Sequence, residues 1–224
     1  MTPWNTFRDN IPTDPRFLGH RAIFDKLRSM PETLASARDA AKKLGTLNDR
    51  GITERVRDFA TKKVAADLRR EVIKIDAAKK KLESRRRNLT VPAADKTDVG
   101  AALLRQEIRA HVRQMESSKQ VRTLTFNPDP VVVAAISEAP SMLTGVSDSL
   151  RGQMEAAFIE AHFPAEIAVL REDAEALESV GMALESATKE VRAAIGLSEL
   201  EFKKWLVTST PEVSQELLEG RIGE

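Results

Sequence analysis

Apolar residues recur along this chain at helical spacing, and the longest rows read as long helices. Ile52, Val56, Phe59, Val64, Leu68, Val72, Ile75, Leu82 and Leu89 mark one stripe, and neither Pro nor Gly interrupts residues 52–90. Within it Leu68, Ile75, Leu82 and Leu89 stand seven apart, the spacing of a coiled-coil seam. A helix of about 38 residues is about 57 Å long, whereas a compact globule of this chain length is only about 45 Å across. The pattern therefore predicts an elongated molecule or a projecting helix.

A second row is clearer still. Over 164–195, Leu170, Leu177, Leu184 and Val191 repeat at seven, and Ile167, Ala174, Gly181, Thr188 and Ile195 repeat at seven in an interleaved position. The small residues Ala174 and Gly181 are the places where a partner helix could approach closely.

The shorter elements are delimited by cap and breaker chemistry. Residues 1–14 hold Pro3 and Pro12 and lack periodicity, so they read as an extended arm on which Trp4 and Phe7 form a docking pair. A short helix over 15–28 follows, and Ser29-Met30-Pro31-Glu32 reads as a capping box opening a second helix that stops at Gly45. The pattern predicts a turn at 92–98, a helix over 99–119 (stripe Leu104, Ile108, Val112, Met115) that returns antiparallel to the long one, and an extended linker where Val121 to Phe126 alternates. Asp129-Pro130 starts a short helix closed by Pro140. Ser147 or Asp148 caps another that reaches Phe163, where Pro164 bends the chain. Gly196 ends the heptad helix, Ser198 with Glu201 makes a capping box, and a last helix runs from Thr210-Pro211 to Gly220.

The fold class expected from this is all-α: an elongated helical bundle with long, coiled-coil-like antiparallel helices and short flanking helices. Three segments are expected: 1–50 as arm and short helices, 51–122 as a basic long-helix hairpin, and 123–224 as an acidic region carrying the heptad helix 164–195. The packing seam is expected to be Leu68, Ile75, Leu82, Leu89, Leu170, Leu177, Leu184 and Val191.

Charge changes that picture more than composition does. The net charge is +1, but residues 1–122 carry +12 and residues 123–224 carry −11. The two halves can neutralise each other within or between chains, or the basic half can meet nucleic acid. Its densest points are Lys79, Lys80, Lys81 and Arg85, Arg86, Arg87. No aromatic residue lies between Phe59 and Phe126 to stack a base, so any nucleic-acid contact there is to the backbone and sensitive to salt.

Other chemistries find little support. There are no cysteines, so no disulfide, thiolate or zinc-finger chemistry is open to this sequence. His20, His111 and His162 fall on separate elements, and Glu107 with His111, one turn apart, reads as a solvated pair. The ten glycines form no phosphate loop and no nucleophile elbow. Catalytic, metal and cofactor residues are therefore not assigned, and no small-molecule ligand is expected. Ala41, Leu44 and Gly45, followed by Ile52 and Val56, resemble a helix-turn-helix motif over about twenty residues. Gly51 and Glu54, however, occupy the two apolar positions of its second helix.

No apolar run is long enough to span a membrane and no signal-peptide core is visible, so an intracellular (cytoplasmic) or virion location is expected. The functional expectation is a non-enzymatic assembly subunit that binds a protein partner or itself, such as a phage virion component. The alternatives are a nucleic-acid-backbone-binding protein and an enzyme whose site is not legible in sequence.

Overall fold

The computed structural model describes residues 3–91, 93, 97–126 and 128–222. Part of the turn expected at 92–98 lies outside them. Among the described residues the protein is all-α, with twelve α-helices and no strand. No helix of the described residues is long and apolar enough to cross a membrane. The chain divides into two compact units, one made of residues 1–83 with 171–224 and one of residues 84–170.

The first unit contains α1 (Pro3–Asp9), α2 (Leu18–Lys43), α3 (Asp49–Lys63), most of α4 (Ala65–Asn88), most of α10 (Pro164–Ile195), α11 (Glu199–Thr208) and α12 (Pro211–Leu218). Its core joins Phe17, Phe24, Leu27 and Leu34 to Val56, Leu68, Ile75, Val180, Val191 and Ile195. The second unit holds α5 (Val99–Gln114), α6 (Ser117–Thr125), α7 (Pro130–Ser137), α8 (Ser141–Thr144) and α9 (Asp148–His162). Its core is smaller: Val112, Leu124, Val133, Ile136, Val146, Leu150, Met154 and Phe158.

Several local expectations are corrected. The arm is a helix, α1, whose Trp4 and Phe7 pack on the first core. The capping box at Ser29 does not form, because α2 runs unbroken through Pro31. Phe24, Leu27, Leu34 and Ala41 stay in phase across the proline and are buried, and that burial offsets the local cost of Pro in a helix, about 3 kcal/mol.

The predicted helix over 52–90 is instead two, α3 and α4, with Val64 at φ −120° between them. Ile52, Val56, Ala60 and Val64 are all buried and lie four apart, a spacing that walks round a helix by about 40° per step. The break falls where two adjacent residues, Val64 and Ala65, are both buried.

In the second unit α5 packs on α7 and α8. Of its predicted stripe Val112 is buried and Ile108 and Met115 pack against the core, while Leu104 is exposed. The alternating stretch at 121–126 is not an extended linker. Residues up to Thr125 belong to α6, which buries Gln120 and Leu124 one turn apart. The side-chain amide of Gln120 donates through Nε2 to the Val112 carbonyl at 2.8 Å, closing the end of α5.

The cap chemistry forms as its residues dictate. Asp129 accepts from the amides of Val131 and Val132, Ser147 from that of Leu150, and Ser198 with Glu201 forms the reciprocal capping box. Gly45, Gly196 and Gly220 take the left-handed conformation that ends a helix.

Candidate interaction site

The two leucine rows meet in the first unit, though not in the register expected. Leu68, Ile75, Leu177 and Val191 are buried, and Leu82 and Leu184 are partly buried against the same core. The second row on α10 is Val180 and Ala187, flanked by Ala176 and Ala183, all fully buried. Ala174, Gly181 and Thr188, expected to face the packing partner, lie on the other side of the leucine row, where Ala174 is exposed. Rows three residues before and three residues after a leucine both repeat at seven, so spacing alone does not choose between them. The remaining two seam residues, Leu89 and Leu170, belong to the second unit. They line a cleft there with Arg85, Asn88, Ala165, Glu166 and Val169.

The displaced row opens a groove in the first unit. Lys79 and Leu82 of α4 and Ala174, Leu177, Glu178, Gly181, Met182 and Glu185 of α10 line a space of about 410 Å³. A Cβ built on Gly181 meets no atom within 4 Å.

Two charged networks surround α4. The Glu71 side chain is 1% exposed; its Oε1 accepts from Lys74 at 3.0 Å and pairs with Lys26 at 3.6 Å, while its buried Oε2 has no partner. Arg70 grips both oxygens of Glu216 on α12 at 2.7 and 2.8 Å. That guanidinium, through its hydrogen bonds, holds the Glu216 carboxyl below its ordinary value against the opposing effect of burial. Arg69 donates to the carbonyl and hydroxyl of Thr210, both at 2.8 Å. These contacts fasten the C-terminal helix to α4.

The predicted basic residues Lys79, Lys80, Lys81, Arg85, Arg86 and Arg87 are all exposed. They share one helix, but the boundary between the units falls at 83/84, between the two triplets. Arg85 and Arg87 have partners within the chain. Trp4 stacks edge-on against Phe24 at 5.8 Å and Phe7 at 6.3 Å, and its indole N–H donates to Glu190 at 3.2 Å. The residues that resembled a helix-turn-helix form the turn of a packed pair, α2 against α3.

Sequence reasoning missed the surface of the second unit. Arg105, Arg109 and Arg113 lie one turn apart on α5. Arg105 and Arg109 both donate to Glu138 Oε1, at 3.1 and 2.6 Å. Arg109 also reaches the Ala135 carbonyl, and Arg113 the Leu143 carbonyl. Each guanidinium thus meets oxygens at or near the carbonyl ends of the short helices α7 and α8, where a cation is favoured. The spacing of four was visible in the sequence, but the receiving carbonyls were not. This polar clamp leaves apolar side chains outside: Phe126 is 81% and Met142 83% exposed, and Val99, Leu103, Leu104, Val121, Val131 and Leu143 are exposed as well. Among the described residues no group of three or more His, Asp or Glu side chains is placed to hold a metal ion.

No protein-family model matches this chain, and comparison with curated proteins and with solved structures finds none similar to it.

Proposed function

We propose that this chain is a non-enzymatic helical assembly subunit that presents its second unit to a protein partner. The observation that carries the reading is the set of open apolar side chains there, led by Phe126 and Met142. Apolar side chains exposed in number on a small unit are the material of interfaces. The Arg105–Glu138–Arg109 cluster holds the scaffold beneath them by polar contacts. A component of a larger particle, such as a virion, fits this reading.

The test is the native size of the chain in its source. It should migrate with a particle larger than a single chain, and Phe126→Ser with Met142→Ser should release it while circular dichroism stays unchanged. Migration as a single chain in the source extract sinks the reading.

A second reading is supported by the exposure of Lys79, Lys80 and Lys81 on α4: contact with a nucleic-acid backbone. It predicts duplex binding that weakens steeply with salt and disappears when the three lysines are changed to Glu. No binding at low salt ends it. A catalytic role stands third, since it requires a pocket built from residues distant in sequence.

A further inference from the structure

The α4/α10 groove has the features of half an interface. Its floor is apolar and small: Leu82, Leu177, Met182, Ala174 and Gly181. Its rims carry opposite charge, with Lys79 on the α4 side and Glu178 and Glu185 on the α10 side. Lys80, exposed, stands next to Lys79 on α4. Among the described residues none of these four charges makes an ion pair within the chain. Gly181 carries no side chain, and among the described residues no atom stands within 4 Å of where its Cβ would be, so a second helix backbone can approach there.

We propose that this groove is a self-association face whose occupant is a second copy of the same chain, related by a two-fold axis parallel to α4 and α10. The charge pattern selects that occupant and that axis. A rotation of 180° about a line along the groove places α4 of one copy over α10 of the other, so Lys79 and Lys80 meet Glu178 and Glu185 twice, once on each side. An axis across the helices would set lysine against lysine and glutamate against glutamate, which complementarity disfavours. The chosen axis also keeps every residue at its own level along the helices, so each Gly181 meets α4 of the second copy, while the two Gly181 residues stand on opposite sides of the groove. The apolar floors close over one another, and the four ion pairs lie at the edges and set the register. This surface is separate from the one that carries the assembly reading, so either can fail alone.

The experiment uses the full-length chain, whose lack of cysteine makes any introduced disulfide a report on contact between copies. A mixture of Lys79→Cys chains and Gly181→Cys chains should oxidise to a mixed covalent dimer, and neither variant alone should link as fast, because the axis brings α4 of one copy over α10 of the other and a disulfide needs the two Cα atoms within about 7 Å. Ala35→Cys, on the exposed face of α2, is the control and should remain monomeric in thiol assays. Sedimentation should show the unmodified chain dimerising, with Gly181→Lys raising the dissociation constant by about tenfold or more. Lys79→Glu with Lys80→Glu should weaken the dimer similarly, and adding Glu178→Lys with Glu185→Lys should restore it.

The space at Gly181 and the absence of intrachain pairs mean that these variants keep the fold, which circular dichroism checks. A chain that stays monomeric at every concentration overturns the proposal. So does a dimer indifferent to these changes, a Lys79→Cys and Gly181→Cys mixture that links no faster than the control, or a groove found covered by a different protein while the chain itself stays monomeric.

Discussion

The two units bury their helices by different means. In the first, long helices close around large side chains, and Phe17, Leu27, Leu34, Leu68, Ile75 and Ile195 are all fully buried. In the second, five short helices share a core of eight buried residues and rely on arginines to receive helix-end carbonyls and Glu138. Short helices have a high proportion of unsatisfied end groups. A unit built from them needs polar closure, and polar closure does not remove apolar surface from water. The first unit has the character of a scaffold, and the second spends less of its apolar surface on itself.

The largest effects should come from opening each core in turn. Leu27→Ala in the first unit and Phe158→Ala in the second should each cost about 2–5 kcal/mol. Hydrogen exchange distinguishes them: Phe158→Ala should release amides of α6, α7 and α9 while α2 and α3 keep their protection. Uniform loss of protection in both variants would mean that the units do not open separately.

Next in size is the polar clamp. Glu138→Ala leaves Arg105, whose side chain is only 9% exposed, without that partner and should destabilise the second unit by about 2 kcal/mol. A loss well below that in urea melts would show that apolar contacts alone hold α5 to α7. A smaller change, about 1 kcal/mol, is expected for Asp129→Ala, which removes the side-chain acceptor at the start of α7.

The smallest effect is a pH dependence confined to the first unit. Because Arg70 lowers the Glu216 pKa below its ordinary value of 4.5, the stability that the pair contributes is complete above that value. It is lost as the pH falls through the depressed value. Exchange at the amides of α12 should therefore accelerate in acid, and Arg70→Gln should abolish that dependence. An acid response unchanged in Arg70→Gln would assign it to other carboxylates.

What the sequence made legible follows from the range of each interaction. The caps at Asp129, Ser147 and Ser198 were readable because donor and acceptor lie within three residues. The stop at Gly196 was readable because a left-handed turn selects glycine. Pro31 misled because a local penalty was outweighed by Leu27 and Leu34 buried on either side of it. The break at Val64 and the register of α10 depend on which neighbours the helices meet, and the sequence does not state that. The exposed side chains of the second unit illustrate the same limit. Leu104 belongs to the apolar stripe expected of its helix, yet it is exposed while the neighbouring Arg105 is buried.

One earlier detail bears on how this sequence can drift over generations. Gly196 turns with φ +65°, and a Cβ there would stand 2.9 Å from the Thr53 methyl group. Arg57 meanwhile donates to the adjoining Ile195 carbonyl at 2.9 and 3.1 Å. Backbone, space and hydrogen bonding thus all fix the same residue. In a library selected only for a folded chain, position 196 should stay glycine, while Gly19 and Gly152, with open space around them, admit most substitutions.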